Sequence, residues 1–205
     1  HSYPPIVASG ENACILHYTE NNQELKDGDL ILIDAGCEIN GYASDITRTF
    51  PINGKFSEPQ REIYEVVLNA QKSAINSIKP GVSSNKPHET ACQIITDGLI
   101  KLGIMKSPED LSKFYMHNTG HWLGLDVHDV GSKLVNDEFR EFKSGMVTTV
   151  EPGIYIRRDD KIDSKYWGIG IRIEDDVLVT ETGNRVLSNK AVKDINEIEH
   201  LMGQR

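Results

Sequence analysis

The hydrophobic pattern of the chain predicts strands at four places. Residues 30–34, Leu-Ile-Leu-Ile-Asp, form an apolar run that is typical of a buried strand. Asn40-Gly41 is a turn signal, and residues 42–50 then have the pattern expected of the returning strand of a hairpin. Later apolar runs predict two more strands, at 146–156 and 169–180.

Between these strands the apolar period changes to that of helices. Ser57 is placed to cap a helix whose first turn contains Pro59. Apolar residues then recur at helical spacing until Lys79-Pro80-Gly81 ends the pattern. The sequence also predicts a helix from Pro87 to Gly103, a loop or short helix at 104–114, and a final helix at 192–202.

The order of these elements predicts the fold class. Strands come first, then helices, then strands again, and no linker-like segment divides the 205 residues. Such an order indicates one α+β domain over residues 1–205, with a largely antiparallel sheet. Because the chain begins at His1 without a methionine, we expect it to be part of a longer protein.

Composition narrows the possible functions. Asp and Glu number 31 against 22 Lys and Arg, so the net charge of −9 argues against nucleic acid as the main partner. No apolar run approaches the ~20 residues of a membrane-spanning helix, so we expect no membrane association. Three scattered cysteines without a Cys-x-x-Cys pair suggest buried thiols in a reducing compartment, and hence a cytoplasmic location.

Four acidic residues stand where apolar strands should carry core residues: Asp34, Asp45, Glu151 and Glu174. A buried carboxylate without a counter-charge is very costly. One such acid would be an ordinary strand end, and an acidic composition often serves only solubility. Four in similar surroundings instead favour one shared site that holds cations.

A glycine-rich segment supplies candidate nitrogen ligands. His117, His121 and His128 lie within twelve residues in FYMHNTGHWLGLDVHDVG, and there is no HExxH helix. A histidine among four carboxylates is an oxygen-rich ligand set, which favours Mn²⁺ or another first-row dication. Because four acids exceed the charge that one dication requires, we expect two bridged metal ions. Such pairs activate water, so the site predicts a hydrolase.

Five ordered blocks of the sequence resemble a known family: LIDAG, SDITRTF, GHWLGLDVHDVG, VEPGIYI and GIRIEDD. They are similar to the aminopeptidase P (Xaa-Pro aminopeptidase) family of dinuclear metallopeptidases, and the similarity extends over nearly the whole chain. The family shares the pita-bread fold with methionine aminopeptidases and prolidases. The resemblance therefore implies a curved antiparallel sheet covered by helices, and a C-terminal catalytic domain whose usual N-terminal domain is missing here.

The resemblance also implies roles for individual residues. Asp45 and Glu174 would bridge the two metals, Asp34 would bind one of them, and His121 and Glu151 would bind the other. Glu151 would in addition act as general base. Four residues match positions that surround the ligands in the family. His17, His117 and His128 would orient the substrate and stabilise the oxyanion, and Arg172 would brace the carboxylates. The implied metal is Mn²⁺, with Zn²⁺, Co²⁺ and Fe²⁺ as alternatives.

Several functions remain open at this point. The family implies peptide substrates with a free N-terminus, cleavage before proline, and a homo-oligomer when full length. Mitochondrial relatives trim single bulky residues from imported proteins without requiring proline, and this alternative would change the location as well. A non-catalytic pita-bread binding module and a metal-free creatinase-like enzyme are the remaining alternatives, although all five ligand positions are chemically competent.

Overall fold

The structure, a computed structural model, describes residues 1–204. Antiparallel ladders link its main strands into two three-stranded sheets, β1-β2-β5 and β12-β11-β8, and one two-stranded sheet, β10-β9. Two small hairpins, β3-β4 and β6-β7, complete the sheets. The strands are β1 Ile6–Ser9, β2 Leu30–Ala35, β3 Glu38–Ile39, β4 Tyr42–Ala43, β5 Ile46–Pro51, β6 Leu134–Val135, β7 Glu138–Phe139, β8 Val147–Val150, β9 Gly153–Ile156, β10 Ile169–Arg172, β11 Asp175–Val179 and β12 Asn184–Val186.

Three α-helices accompany the sheets: α1 Glu58–Asn76, α2 Lys86–Lys101 and α3 Ile195–Met202. Ser57 is the N-cap of α1, as predicted, and its backbone N also donates to Gln60 Oε1 over 2.9 Å. The predicted last helix is three residues too long, because Asp194 caps α3 by accepting from the backbone of Asn196. The segment 104–114 contains a short 3₁₀ helix, Pro108–Lys113. The α+β class and the antiparallel pairing are confirmed.

The long strands predicted at 146–156 and 169–180 are each divided into two. The first ladder stops at Glu151-Pro152, where Pro152 has no N–H to donate and Glu151 N donates instead to Thr119 O over 2.8 Å. The second stops before Glu174, whose N–H donates to Thr47 O over 3.0 Å. The predicted strand 42–50 is likewise interrupted at Ser44-Asp45. Asp45, Glu151 and Glu174 therefore lie at interruptions of the sheet and not inside strands.

The apolar faces of α1 and α2 pack with the strands in one large core that includes Tyr64, Val67, Ile95, Ile154 and Ile171. No helix within residues 1–204 combines the length and apolar character that crossing a membrane requires. The expectation of buried thiols is correct for Cys14 but wrong for Cys37, which is exposed in the loop after β2.

A buried ion pair joins β5 to β11. Arg48 Nη2 lies 2.7 Å from Asp175 Oδ1, and Lys193 Nζ lies 2.5 Å from Asp175 Oδ2. Arg48 Nη1 also donates to the backbone carbonyl of Glu174. Burial alone would raise the pKa of Asp175, but the attraction of Arg48 and Lys193 outweighs it and lowers that pKa.

We expect Arg48→Met to destabilise the fold strongly. Removing one partner of a buried pair costs about 3–5 kcal/mol, since it leaves a charge poorly compensated. For a protein of this size the melting temperature should fall by roughly 10 °C in a thermal unfolding scan. The control is Arg61→Met, which breaks the partly exposed pair with Glu199 and should cost no more than about 1 kcal/mol.

Acid unfolding provides a second measurement on the same variant. The lowered pKa of Asp175 contributes stability above its unfolded-state pKa, and this contribution is lost as the pH falls through the folded-state pKa. Without Arg48 the folded-state pKa rises, so acid unfolding should begin at a higher pH than in the wild type. Equal acid midpoints for the two proteins would contradict this assignment.

Candidate metal centre

The structure brings the nine predicted site residues to one cavity of about 430 Å³. They come from loops and strand ends that are far apart in the chain. The predicted residues that line the cavity are His17, Asp34, Asp45, His117, His121, His128, Glu151, Arg172 and Glu174.

The innermost group consists of Asp45, His121 and Glu174, whose ligand atoms all lie within 4.8 Å of one another. His121 Nε2 is 3.3 Å from Asp45 Oδ2 and 3.5 Å from Glu151 Oε1. The Nδ1 atom of His121 lies 3.1 Å from Trp122 O, and because a carbonyl only accepts, Nδ1 must carry the proton. Nε2 is then the ring nitrogen that faces the carboxylates, and it is the one available to a metal ion once it has no proton.

The position of His121 depends on close backbone packing against β8. Thr149 N donates to His121 O over 3.0 Å, and His121 N donates to Thr149 Oγ1 over 3.1 Å. A Cβ at Gly120 would lie 2.0 Å from the Thr149 carbonyl oxygen. Only glycine fits at that position, which explains the Gly-His pair in the sequence.

Burial makes the carboxylates of this site difficult to keep ionised. It raises the pKa of Glu151 to about 7 and raises the pKa of Glu174 well above its ordinary value. Burial also raises the pKa of Asp34, with the charge of Asp45 adding to the effect. For His121, burial would lower the pKa, but Asp45 and Glu151 outweigh it and raise that pKa. Such a cluster gains stability from cations.

Arg172 supports the outer side of the cluster. Its Nη2 donates to Asp34 Oδ2 over 2.7 Å, and its Nη1 donates to Tyr155 Oη over 3.0 Å. Its Nε donates to Thr47 Oγ1, which in turn donates to Glu174 Oε2 over 2.6 Å. One buried guanidinium thus fixes two of the predicted ligands.

Two tyrosines at the site were not predicted from the sequence. Tyr3 Oη lies 2.5 Å from Asp34 Oδ1 and 2.5 Å from Asp45 Oδ1, so it links two predicted ligands. Tyr155 Oη lies 2.8 Å from His117 Nε2. Both tyrosines stand in unremarkable apolar surroundings in the sequence. The interruption of the strand after Glu151, in contrast, had a visible signal in Pro152.

The three outer histidines differ in their surroundings. Burial lowers the pKa of His117 to about 4, so its imidazole is neutral near pH 7. Its Nδ1 lies 2.8 Å from Asn118 O and carries the proton, while Nε2 accepts from Tyr155. Donation from His117 to a substrate would therefore require it to leave Asn118. His128 is exposed and lies against His121 with ring centroids 4.4 Å apart, and His17 is also exposed.

The donor set suits a pair of divalent metal ions. Four carboxylates and one imidazole offer hard oxygen atoms with one nitrogen, a set that favours first-row dications. His121 directs Nε2 toward the carboxylates, and burial raises the pKa of Glu151 and Glu174. Both features are consistent with ligands that bound cations would stabilise. The residues that line this cavity therefore fit divalent metal ions.

Comparison with known proteins agrees with this geometry. The model of metallopeptidase family M24 matches residues 1–181. The chain belongs to this family. It is 57% identical to an Xaa-Pro aminopeptidase of Haemophilus influenzae, an alignment that covers 98% of this chain and 48% of the relative. It is 44% identical to the mitochondrial intermediate cleaving peptidase 55 of Arabidopsis thaliana, covering 98% of this chain and 40% of that relative.

The fold has a close counterpart among solved structures. Aminopeptidase PepP of Pseudomonas aeruginosa superimposes with a TM-score of 0.96 at 54% identity, over 98% of this chain and 48% of that one. The predicted resemblance to aminopeptidase P and the pita-bread fold are thereby confirmed. The chain of this M24 protein spans about half the length of the relatives it matches.

Proposed function

We propose that this chain is the catalytic domain of a dinuclear metal-dependent aminopeptidase that releases the N-terminal residue of peptides, preferentially when proline follows. The observation that carries the proposal is the convergence of Asp45, His121 and Glu174 ligand atoms within 4.8 Å. The identity of 57% to an Xaa-Pro aminopeptidase supports the substrate class.

Five residues would hold the two ions, and Asp45 and Glu174 would be the shared ligands: Asp34, Asp45, His121, Glu151 and Glu174. The ions, most suitably Mn²⁺, supply activation of water and polarisation of the scissile carbonyl. The protein's own contribution begins with Arg172, which keeps Asp34 and Glu174 in place through the contacts described above.

Glu151 is proposed as the general base. Its carboxylate lies 3.5 Å from His121 Nε2 and borders the cavity, so it can take a proton from the attacking water and return it to the leaving amine. His17, His117 and His128 line the same cavity and are proposed to orient the substrate and stabilise the oxyanion.

A panel of matched peptides tests the substrate class. Because a pocket shaped for a proline ring should favour it, we expect kcat/KM to be at least about tenfold higher for Xaa-Pro-Yaa than for Xaa-Ala-Yaa. Acetylation of the N-terminus should abolish cleavage, since the proposal requires a free amine. Glu151→Gln, assayed in parallel, excludes a contaminating peptidase.

The same peptide panel distinguishes the proposed function from the second candidate function. The alternative function is removal of a single bulky N-terminal residue without a requirement for proline, and the similarity to the mitochondrial relative supports it. Tyr-Ser peptides are therefore added to the panel. Cleavage of Tyr-Ser peptides as fast as Xaa-Pro peptides would replace the proposed specificity with that alternative. If the protein holds metal but cleaves none of the peptides, the remaining candidate is the non-catalytic binding module.

A further inference from the structure

Another buried carboxylate, Asp176, lies directly behind the proposed metal ligands. The residue is only 4% exposed. Its Oδ2 accepts from the backbone N–H of Asp45 over 3.2 Å. Its Oδ1 is shielded from solvent and has no hydrogen-bond partner among the residues that the structure describes. A buried carboxylate with one weak bond needs another source of stabilisation.

The neighbouring residue shows how this fold normally stabilises such a group. Asp175 is the previous residue of β11, and successive side chains of a strand point to opposite faces. Asp175 has two cations, Arg48 at 2.7 Å and Lys193 at 2.5 Å, and accepts from Gln71 and Ser188 as well. Within residues 1–204, no ion pair of this kind reaches Asp176. Asp175 therefore has two neighbouring cations to balance its charge, whereas Asp176 has none among the described residues.

The position of Asp176 indicates what compensates its charge. Asp45 stands where the chain is interrupted between β4 and β5, so no strand ladder holds its backbone. The chain on either side is held at Ser44 and Ile46. Between them, Asp45 N donates to Asp176 Oδ2, and this bond orients the Asp45 backbone. A groove of about 620 Å³ also borders Asp176, but Oδ1 is shielded and a ligand in the groove would not reach it.

We propose that Asp176 is a positioning residue of the metal centre, which holds the Asp45 backbone in place and whose own charge is balanced by the bound metal ions. The inference rests on the proposed function, because it requires cations at Asp45. It assigns Asp176 no direct metal bond. Loss of its charge should therefore weaken metal binding without harming the fold of the metal-free protein.

The test compares Asp176→Asn with its matched neighbour Asp175→Asn. Asparagine at 176 keeps an oxygen that can accept from Asp45 N but removes the charge. For Asp176→Asn, treated with chelator at pH 8, we expect a melting temperature equal to or above that of the wild type. Titration calorimetry with Mn²⁺ should then show affinity weakened by about 10- to 100-fold, as for other outer partners of metal ligands. Asp175→Asn should instead lower the melting temperature of the metal-free protein.

The possible outcomes separate the two proposals. A wild-type protein that bound no Mn²⁺ would overturn the proposed function and this inference together. If the wild type binds Mn²⁺ but Asp176→Asn binds it within twofold of the wild type, only the inference fails. An Asp176→Asn protein that melts as low as Asp175→Asn, or does not fold, would also overturn the inference, since both results indicate a purely structural role.

Discussion

Replacing Glu151 by Gln is expected to lower kcat about 10³-fold, within the range that a general base contributes. Glutamine has nearly the same shape and retains an oxygen that faces His121, but it cannot accept a proton. The protein should remain folded, since the substitution removes a buried carboxyl whose pKa burial already raises to about 7. The measurement is the steady-state rate on an Xaa-Pro peptide with saturating Mn²⁺.

Two companion measurements make this result specific. Glu65→Gln, on the exposed face of α1, is the matched control and should retain wild-type turnover. Metal content of Glu151→Gln, determined by mass spectrometry of the intact protein or by elemental analysis, separates loss of the base from loss of the ions. Unchanged turnover in Glu151→Gln would remove Glu151 from the role of base.

Replacing Asp45 by Asn is expected to have the second large effect, because it acts on the metal centre itself. Asp45 Oδ2 faces His121 Nε2, and Asp45 is the proposed bridge between the two ions. Outer partners of metal ligands already contribute about 10–100-fold to affinity, so loss of a bridging ligand should exceed 100-fold. We expect fewer than two Mn²⁺ per chain at concentrations that saturate the wild type, with peptidase activity reduced in parallel.

The stability of the metal-free protein provides an internal check on Asp45→Asn. The cluster is an accumulation of like charges, so removing one of them should leave the melting temperature in chelator unchanged or higher. The control is Asp97→Asn on the exposed face of α2, which should bind Mn²⁺ as the wild type does. Two tightly bound ions in Asp45→Asn would contradict the proposed bridge.

The structure narrows the alternatives that the sequence left open. Membership of family M24 and the paired carboxylates around His121 disfavour a pure binding module. Identity is higher to the bacterial Xaa-Pro aminopeptidase, at 57%, than to the mitochondrial intermediate cleaving peptidase, at 44%. Oligomeric state, cellular location and the role of a further N-terminal domain stay predictions.

The sequence identified the chemistry of the site because acids in apolar runs are conspicuous. Asp34, Asp45, Glu151 and Glu174 each contradict the hydrophobic pattern around them, and such a contradiction requires a partner of opposite charge. Helices α1 and α2 were also predictable, since capping residues and apolar spacing are local properties. Five strands were not predicted: β1, β3, β6, β7 and β12. Each is only two to four residues long, which is too short for an alternating hydrophobic pattern to be recognised.

How the ligands are held depends on contacts between residues that are far apart in the chain. Tyr3, Thr47 and Tyr155 are ordinary residues in the sequence, and they gain importance only when folding places their hydroxyl groups beside Asp34, Glu174 and His117. The difference between Asp175 and Asp176 is likewise invisible in the sequence. It arises because adjacent residues of β11 face opposite sides, and one side holds Arg48 and Lys193 while the other holds Asp45. The sequence determines which groups must be compensated, and long-range packing determines what compensates them.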